Sequence, residues 1–333
     1  MDRLKNKYVI GTHVMFFEVE MYKDFIDGMV NLLETVENRE NVTVDLCFNV
    51  SEQIEKIDRD KISHKELFDK FDTGVNKITD LGYVVNTRIV GKDEFYFHTD
   101  YRRDLNYNYC KKVDYIMWGE TDSFFPKEAF QAIESLSKYA GEQNIHRYLM
   151  CFADRKMWDS SWDATVHIDY EYVTYRDDEN HHLYLDQAKS PLSINEMNKI
   201  NKNVNDFDFR YINYPKIDGS CLVISSDLIK SGVNIPLCLL YNDDEGLSIM
   251  SQKLCGNNFI QFICKNLLKV HARRHPQKRL YVLDEDNPNS FGDKKHSRFQ
   301  KFVEISKKNI NTLINGGDKF YEYDDLKKIL ENI

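Results

Sequence analysis

The sequence predicts an α/β protein in which a mostly parallel central sheet is flanked by helices. Three observations support this fold class. Strand-like and helix-like segments alternate through the first half of the chain, which is typical of a sheet covered by helices. The 333 residues are 42% hydrophobic and 30% charged, as in ordinary globular proteins. Pro (6) and Gly (14) are scarce, and no repeat or low-complexity linker interrupts the pattern.

Four β-rich runs in the first 120 residues are separated by segments with helical spacing of apolar residues. We predict strands over residues 8–17, 42–50, 83–90 and 115–118. We predict helices over residues 21–36, 64–81 and 101–112, the second stopped by Gly82. These units are expected to form a doubly wound sheet.

The second half is less regular. Residues 151–215 are rich in Asp, Asn, His and Tyr, which is typical of loops over a site, and Ser193 with Glu196 predicts one capped helix. A strand over 221–225, a helix over 244–255 and two tail helices split by Gly316 and Gly317 follow. We expect a main domain over 1–290, with halves 1–130 and 150–280, and a helical C-terminal extension over 291–333.

Composition also limits where the chain acts. Its seven cysteines include no CxxC pair, and their odd number excludes complete intramolecular pairing, which favours buried thiols in a reducing compartment. Apolar stretches are too short to span a bilayer, so we expect a cytoplasmic protein with no membrane partner.

The charge is unevenly distributed. The formal net charge of −9 argues against a polyanionic partner. Residues 265–308, however, contain 12 Lys or Arg against 5 Asp or Glu, an excess of +7. This basic segment is therefore a candidate contact for phosphates.

The segment YIMWGETDSFFP carries the most informative acids. An apolar strand leads directly into Glu120 and Asp122, which the i, i+2 spacing places on one side of the sheet edge. Paired hard oxygen ligands suit Mg²⁺ or Mn²⁺ beside a diphosphate. The alternative is a solvated turn that caps the helix beginning near Pro126.

Residues 101–130, YRRDLNYNYCKKVDYIMWGETDSFFPKEAF, resemble the core of family 2-type glycosyltransferases of the GT-A fold. The resemblance implies a nucleotide-sugar-binding fold in which Asp122 binds the metal ion and Glu120 is the first acid of the motif. Arg102 and Arg103 match the helix that faces the donor. Glu120 departs from the usual Asp, which puts its direct contact with ribose or metal in doubt.

Other segments follow the family's order. The resemblance places Thr12 and His13 at the end of the first strand, beside the nucleotide, and Asn49 and Ser51 near the nucleoside. Asn49 stands where Asp is usual. Asp154 and Arg155 are candidate contacts for the donor sugar by the same analogy.

The segment YNDDEGLSI resembles the one that supplies the catalytic base of this family. Asp244 matches the base and Asp243 its neighbour. A carboxylate in that position takes a proton from an acceptor hydroxyl. The alternative interpretation is a helix N-terminus whose acids favour the helix dipole.

The segment LLKVHARRHP supplies the last site residues. His271 follows an apolar strand and resembles the late histidine that completes the metal site in many GT-A enzymes, although His275 is an equal candidate by composition. The diphosphate or an anionic acceptor is expected to be clamped by Arg273, Arg274, Lys278 and Arg279, and the alternative is a solvated basic face.

Together these matches imply a metal-dependent inverting glycosyltransferase that moves a hexosyl or pentosyl group from a nucleotide-diphosphate sugar to a hydroxyl, with Mn²⁺ or Mg²⁺ as cofactor. Residues 1–130 would bind the nucleotide sugar and residues 150–280 the acceptor. The chain looks most similar to enzymes of large tailed bacteriophages, some of which glycosylate hydroxymethylated cytosine in DNA. A saccharide or glycan acceptor, a metal-dependent phosphoryl-transfer enzyme and a non-catalytic nucleotide-sugar-binding module remain alternatives, and the oligomeric state is left open.

Overall fold

The computed structural model describes residues 2–155, 160–171, 193–213, 216–271, 280–283, 298–317 and 319–330. Within these ranges the strands form one eight-stranded sheet and one two-stranded sheet. The strands are β1 (Tyr8–Met15), β2 (Val42–Asn49), β3 (Val84–Val90), β4 (Tyr115–Gly119), β5 (Ser123–Phe124), β6 (Tyr148–Ala153), β7 (Phe209–Tyr211), β8 (Leu222–Ser225), β9 (Ile260–Leu268) and β10 (Val270–His271).

The α-helices of the described ranges lie between and after these strands. They are α1 (Val19–Leu33), α2 (His64–Asp80), α3 (His98–Tyr109), α4 (Ala129–Glu142), α5 (Ile194–Asn201), α6 (Ser226–Lys230), α7 (Asp243–Cys255), α8 (Arg298–Asn315) and α9 (Tyr323–Leu330).

The large sheet has the strand order β3-β2-β1-β4-β8-β6-β9-β7. Strands β3, β2, β1, β4, β6 and β9 run parallel to one another, and β8 and β7 run antiparallel to their neighbours. The prediction of an α/β fold with a mostly parallel sheet is therefore confirmed. Because β8 is reversed, the chain that precedes it lies at the edge where the parallel strands end.

Alternation along the strands builds two cores, one on each face of the sheet. In β4, Tyr115 and Met117 contribute to the core that includes side chains of α1, α2 and α4, whereas Ile116 and Trp118 contribute to the core that includes side chains of α3 and α7. Successive strand residues point to opposite faces, so a strand buried on both faces is apolar throughout. The result is a sheet between two helical layers.

Most predicted elements are present with small changes in their bounds. Ser193 accepts a hydrogen bond from the Glu196 N–H, and the Glu196 carboxylate accepts one from the Ser193 N–H, which confirms the predicted capping box. Helix α3 begins three residues earlier than predicted, at His98. Strand β6 overlaps the start of the segment that we expected to be irregular.

The C-terminal helices pack against the main body of the protein. Side chains of Phe302, Ile305 and Leu326 are buried, and the Phe302 ring meets that of Phe97 edge to face at 4.9 Å. The Tyr323 hydroxyl donates a hydrogen bond to Asp100 at the start of α3. The tail thus braces the helix that carries Arg102.

All seven cysteines are free, and six of them are buried, in accord with thiols that act as small apolar side chains. Within the described ranges, helices of sufficient length and apolarity to cross a bilayer are absent.

Candidate active site

The two-stranded sheet brings His271 to the acids at the end of β4. Strand β10 pairs antiparallel with β5, and this register sets His271 opposite Ser123, the residue after Asp122. Asp122 and Glu120 lie in the short turn between β4 and β5, which the Ser123 N–H closes by donating to the Glu120 carbonyl at 3.0 Å. Residues 149 positions apart in the chain thus become neighbours.

Glu120, Asp122 and His271 form a group that we call the metal cluster. The His271 Nε2 lies 3.2 Å from Glu120 Oε2 and 3.6 Å from Asp122 Oδ1. One ligand atom from each residue lies within 4.8 Å of the other two. Two carboxylate oxygens with one imidazole nitrogen are a donor set that a divalent ion such as Mn²⁺ accepts, with coordination positions left for substrate oxygens.

Arg102 connects the metal cluster to the start of α7. Its guanidinium donates to Glu120 at 2.7 Å and to Asp243 at 2.7 Å, and stacks 4.6 Å from the centre of the Trp118 ring. Burial alone would raise the pKa of both carboxyls, but Arg102, aided by neighbouring histidines, holds the pKa of Glu120 and of Asp243 well below the usual range. Arg102 is itself buried, at 5% exposure. The guanidinium of Arg102 is thus already hydrogen-bonded to two acids of the protein itself.

Asp244 differs sharply from Asp243. Asp244 accepts hydrogen bonds from the backbone N–H groups of Gly219 at 2.9 Å and Glu245 at 2.7 Å. Burial, and then the charges of Asp243 and Asp218, raise the pKa of Asp244 to about 7. A carboxylate with this pKa can exchange a proton near neutral pH, as a general base requires.

Glycine is required at position 219 by this close approach. A Cβ atom there would lie 2.9 Å from the Asp244 Cβ. The Gly219 carbonyl also accepts from Arg102 at 3.4 Å. One short loop before β8 therefore positions both the candidate base and the arginine.

Asp154, Asp218 and Lys269 form a second group of charges, which we call the lysine cluster. The Lys269 Nζ lies 2.5 Å from Asp218 Oδ2 and 3.4 Å from Asp154 Oδ2. It also donates to the carbonyl of Ser220 at 2.8 Å and to the Ser220 hydroxyl. Burial would lower the pKa of Lys269, but the two carboxylates outweigh it and raise the pKa. Lys269 is thus an internal ammonium ion.

His271 is shared between the two clusters. Its Nε2 faces the metal cluster, whereas its Nδ1 lies 2.9 Å from Ser220 Oγ and 3.4 Å from Asp218 Oδ2. Such a contact on the far side of a ligating imidazole fixes its orientation.

The residues predicted near the nucleotide lie at the ends of β1 and β2. Asn49 donates to the Tyr96 carbonyl at 2.7 Å, lies 3.0 Å from His13 Nε2, and accepts from the Ser51 N–H at 2.8 Å. Burial, followed by the charges of His98 and Arg102, lowers the pKa of His13 well below its usual value. Thr12, beside them in β1, is fully buried. The structure thus brings these four residues to the same sheet edge as the metal cluster.

The predicted cations other than Arg102 have no part in the geometry described above. Arg103 pairs with Asp100 at 2.5 Å. The alternative metal ligand His275 lies outside the described residues, as do Arg273, Arg274, Lys278 and Arg279.

Sequence reasoning missed the side chains that support the ligands. Lys269 and Asp218 hold the lysine cluster, Ser220 contacts His271, and His98 Nε2 lies 3.5 Å from Asp243 Oδ1. One available signal was a lysine inside the apolar run LLKVH, because a buried Lys needs a partner.

A cavity of about 400 Å³ lies apart from these acids, against β7 and β9. Its wall includes Lys265, which is buried and pairs with Glu171 at 3.1 Å. Two cations of the basic segment 265–308, Lys265 and Lys269, are therefore neutralised inside the protein rather than presented to a partner.

No family model matches the chain, and no curated protein matches it. Among solved structures, residues 1–349 of S. aureus TarS align with 97% of this chain and 69% of their own length, at 8% identity and a TM-score of 0.46. M. tuberculosis glucosyl-3-phosphoglycerate synthase aligns over 95% and 83%, at 9% identity and 0.44. A putative nucleotide-diphospho-sugar transferase from Desulfovibrio desulfuricans G20 aligns over 44% and 58%, at 11% identity and 0.27.

Proposed function

We propose that this protein is a metal-dependent glycosyltransferase that moves a sugar from a nucleotide-diphosphate donor to a hydroxyl, with inversion at the anomeric carbon. One observation carries the proposal. At a single sheet edge, a group of side chains suited to a divalent ion is joined through Arg102 to the helix start that holds a carboxylate with a pKa of about 7. A direct displacement at the anomeric carbon needs a stabilised leaving group, which the metal ion would supply, and a general base, which the carboxylate would supply.

The donor would bind along this edge, where ligands of open α/β sheets usually bind. Asp122, Glu120 and His271 would hold a Mn²⁺ or Mg²⁺ ion, which offsets the charge on the departing diphosphate when bound. Thr12, His13, Asn49 and Ser51 would form the wall beside the nucleoside. Since Asn49 uses its amide within the protein, we expect it to shape this wall.

Asp244 would take the proton from the acceptor hydroxyl as that oxygen attacks. The two backbone N–H groups orient its carboxylate, and its raised pKa makes it a stronger base than an ordinary aspartate. Asp243 would act indirectly, because its carboxylate forms an ion pair with Arg102. A single displacement with one base inverts the anomeric configuration.

The rival two-metal phosphoryl-transfer enzyme is less well supported. It needs Glu120 and Asp122 to combine with Asp243 and Asp244 in one metal site. Within the described part of the chain, the two groups with metal-compatible spacing contain neither Asp243 nor Asp244.

For the acceptor, we propose a hydroxymethylated base in DNA, such as the hydroxymethylated cytosine of phage DNA. The support for this acceptor is the excess positive charge of residues 265–308. Lys265 and Lys269 do not contribute to a contact surface, since both are internal. The remaining cations would hold the phosphate backbone while the base is extruded towards Asp244. A saccharide acceptor needs no such contact.

The experiment combines a panel of nucleotide sugars, Mn²⁺ or Mg²⁺, and three acceptors: hydroxymethylcytosine duplex, plain duplex and oligosaccharides. Release of nucleoside diphosphate together with a mass gain on an acceptor is expected, and EDTA should abolish both. Donor binding by calorimetry without turnover on any acceptor would favour the binding-module alternative. A mass gain on oligosaccharide alone would overturn the DNA acceptor but retain the transferase.

A further inference from the structure

We infer that Lys269 is a resident cation that takes the place of a second divalent ion, and so limits this site to one metal ion, held by Glu120, Asp122 and His271. The inference depends on the metal site of the proposed function but does not depend on sugar transfer.

The side chains around Lys269 are spaced as the ligands of a metal ion would be. One ligand atom from each of Asp154, Asp218 and His271 lies within 4.8 Å of the other two, which is the same criterion that the metal cluster meets. The Lys269 Nζ lies 2.5 Å and 3.4 Å from the two carboxylates of that group. A metal ion and this ammonium would therefore compete for the same oxygens.

The ammonium is also well satisfied where it lies. A lysine has three N–H donors, and Lys269 directs them at Asp218 and at the carbonyl and hydroxyl of Ser220. Its side chain has 0% exposure, so it cannot touch a substrate in this conformation. Its function is therefore to neutralise buried carboxylates, which are costly without a partner.

The same contacts reach the metal cluster through His271. Lys269 holds Asp218 and Ser220, and both of these face the Nδ1 of His271. The other nitrogen, Nε2, is then directed at Glu120 and Asp122. Lys269 is thus a positioning residue for the histidine ligand as well as a substitute for an ion.

Counting bound Mn²⁺ tests this inference in the full chain. The electron paramagnetic resonance signal of free Mn²⁺ would be titrated with wild type and with Lys269→Ala, a change that removes the charge and vacates the space of the ammonium. We expect one ion per chain for wild type and two for Lys269→Ala. Without metal, the variant's Tm should fall by roughly 10 °C, as for a broken buried ion pair, and Mn²⁺ should restore part of it.

A second variant serves as the charge-balanced control. Lys269→Ala combined with Asp154→Asn removes one buried acid with the cation, so it should fold more stably than the single variant and bind one ion. A folded Lys269→Ala protein that still binds one ion, with no gain in Tm from Mn²⁺ beyond that of wild type, would overturn the inference. If Lys269→Ala does not fold, a double variant that folds and binds one ion supports the inference, and continued failure contradicts it. The absence of any glycosyl transfer would refute the proposed function and leave the ion count unaffected.

Discussion

In the metal cluster, Glu120 keeps 29% of its side chain exposed, whereas in the lysine cluster Asp154 and Asp218 keep only 4% and 5%. Both clusters contain two carboxylates, and His271 lies beside both. The difference is that a lysine from the protein enters one of them. The two clusters contain the same acidic residue type, but a lysine of the protein itself neutralises only one of them, and we propose that the other is left to a metal ion.

Asp243 and Asp244 repeat this comparison on a smaller scale. Arg102 pairs with Asp243 and lowers its pKa, whereas Asp244 accepts only backbone N–H groups among its described hydrogen bonds, and its pKa is raised to about 7. The two residues thus differ in pKa because Arg102 pairs directly with Asp243, whereas burial and the charges of Asp243 and Asp218 dominate at Asp244.

The largest expected effect comes from removing the candidate base. Asp244→Asn should lower kcat by roughly 10² to 10⁴-fold, the range for a lost general base, with donor affinity unchanged. In wild type, kcat should rise as pH increases through about 7, because the carboxylate must be deprotonated to accept a proton. Steady-state assays across pH 5–9 would check both. Normal turnover by Asp244→Asn would make the helix-cap interpretation correct instead.

The next effect contrasts the two clusters directly. Asp122→Ala should weaken Mn²⁺ binding by more than about 10²-fold. Asp154→Asn, in the lysine cluster, should weaken it by no more than about tenfold, the lower end of the range for outer partners of a ligand, because Asp154 pairs with Lys269. Calorimetric titration of both variants with Mn²⁺ is the measurement. Equal losses in the two variants would show that the clusters are not distinct in function.

The smallest effect is on stability. Because folding raises the pKa of Asp244 from 3.8 to about 7, the favourable contribution of its protonated form is fully present below pH 4 and is lost as pH rises through 7. Asp244→Asn should therefore raise the Tm by roughly 2–4 °C at pH 8 and less at pH 5, measured in EDTA. Asp243→Asn, which breaks the Arg102 pair, is the matched control and should lower the Tm at both pH values. A Tm difference for Asp244→Asn that does not vary with pH would contradict the pKa shift.

Local sequence patterns were sufficient to predict most of the strands and helices. Alternation of strand and helix signals predicted the parallel half of the sheet, and Ser193 with Glu196 predicted a helix start that the structure contains. They also predicted that Glu120 and Asp122 lie at a sheet edge. These features depend on residues within a few positions of one another, which is why a single sequence is enough.

By itself, the sequence determined where strands end and which acids stand at those ends. Only the tertiary structure decided which cation each acid meets. Arg102 reaches Asp243 across 141 positions and Lys269 reaches Asp218 across 51, while the antiparallel pairing of β10 with β5 sets His271 beside Asp122. The physical reason is that electrostatic interaction depends on distance in space and on burial, and neither is encoded by spacing along the chain.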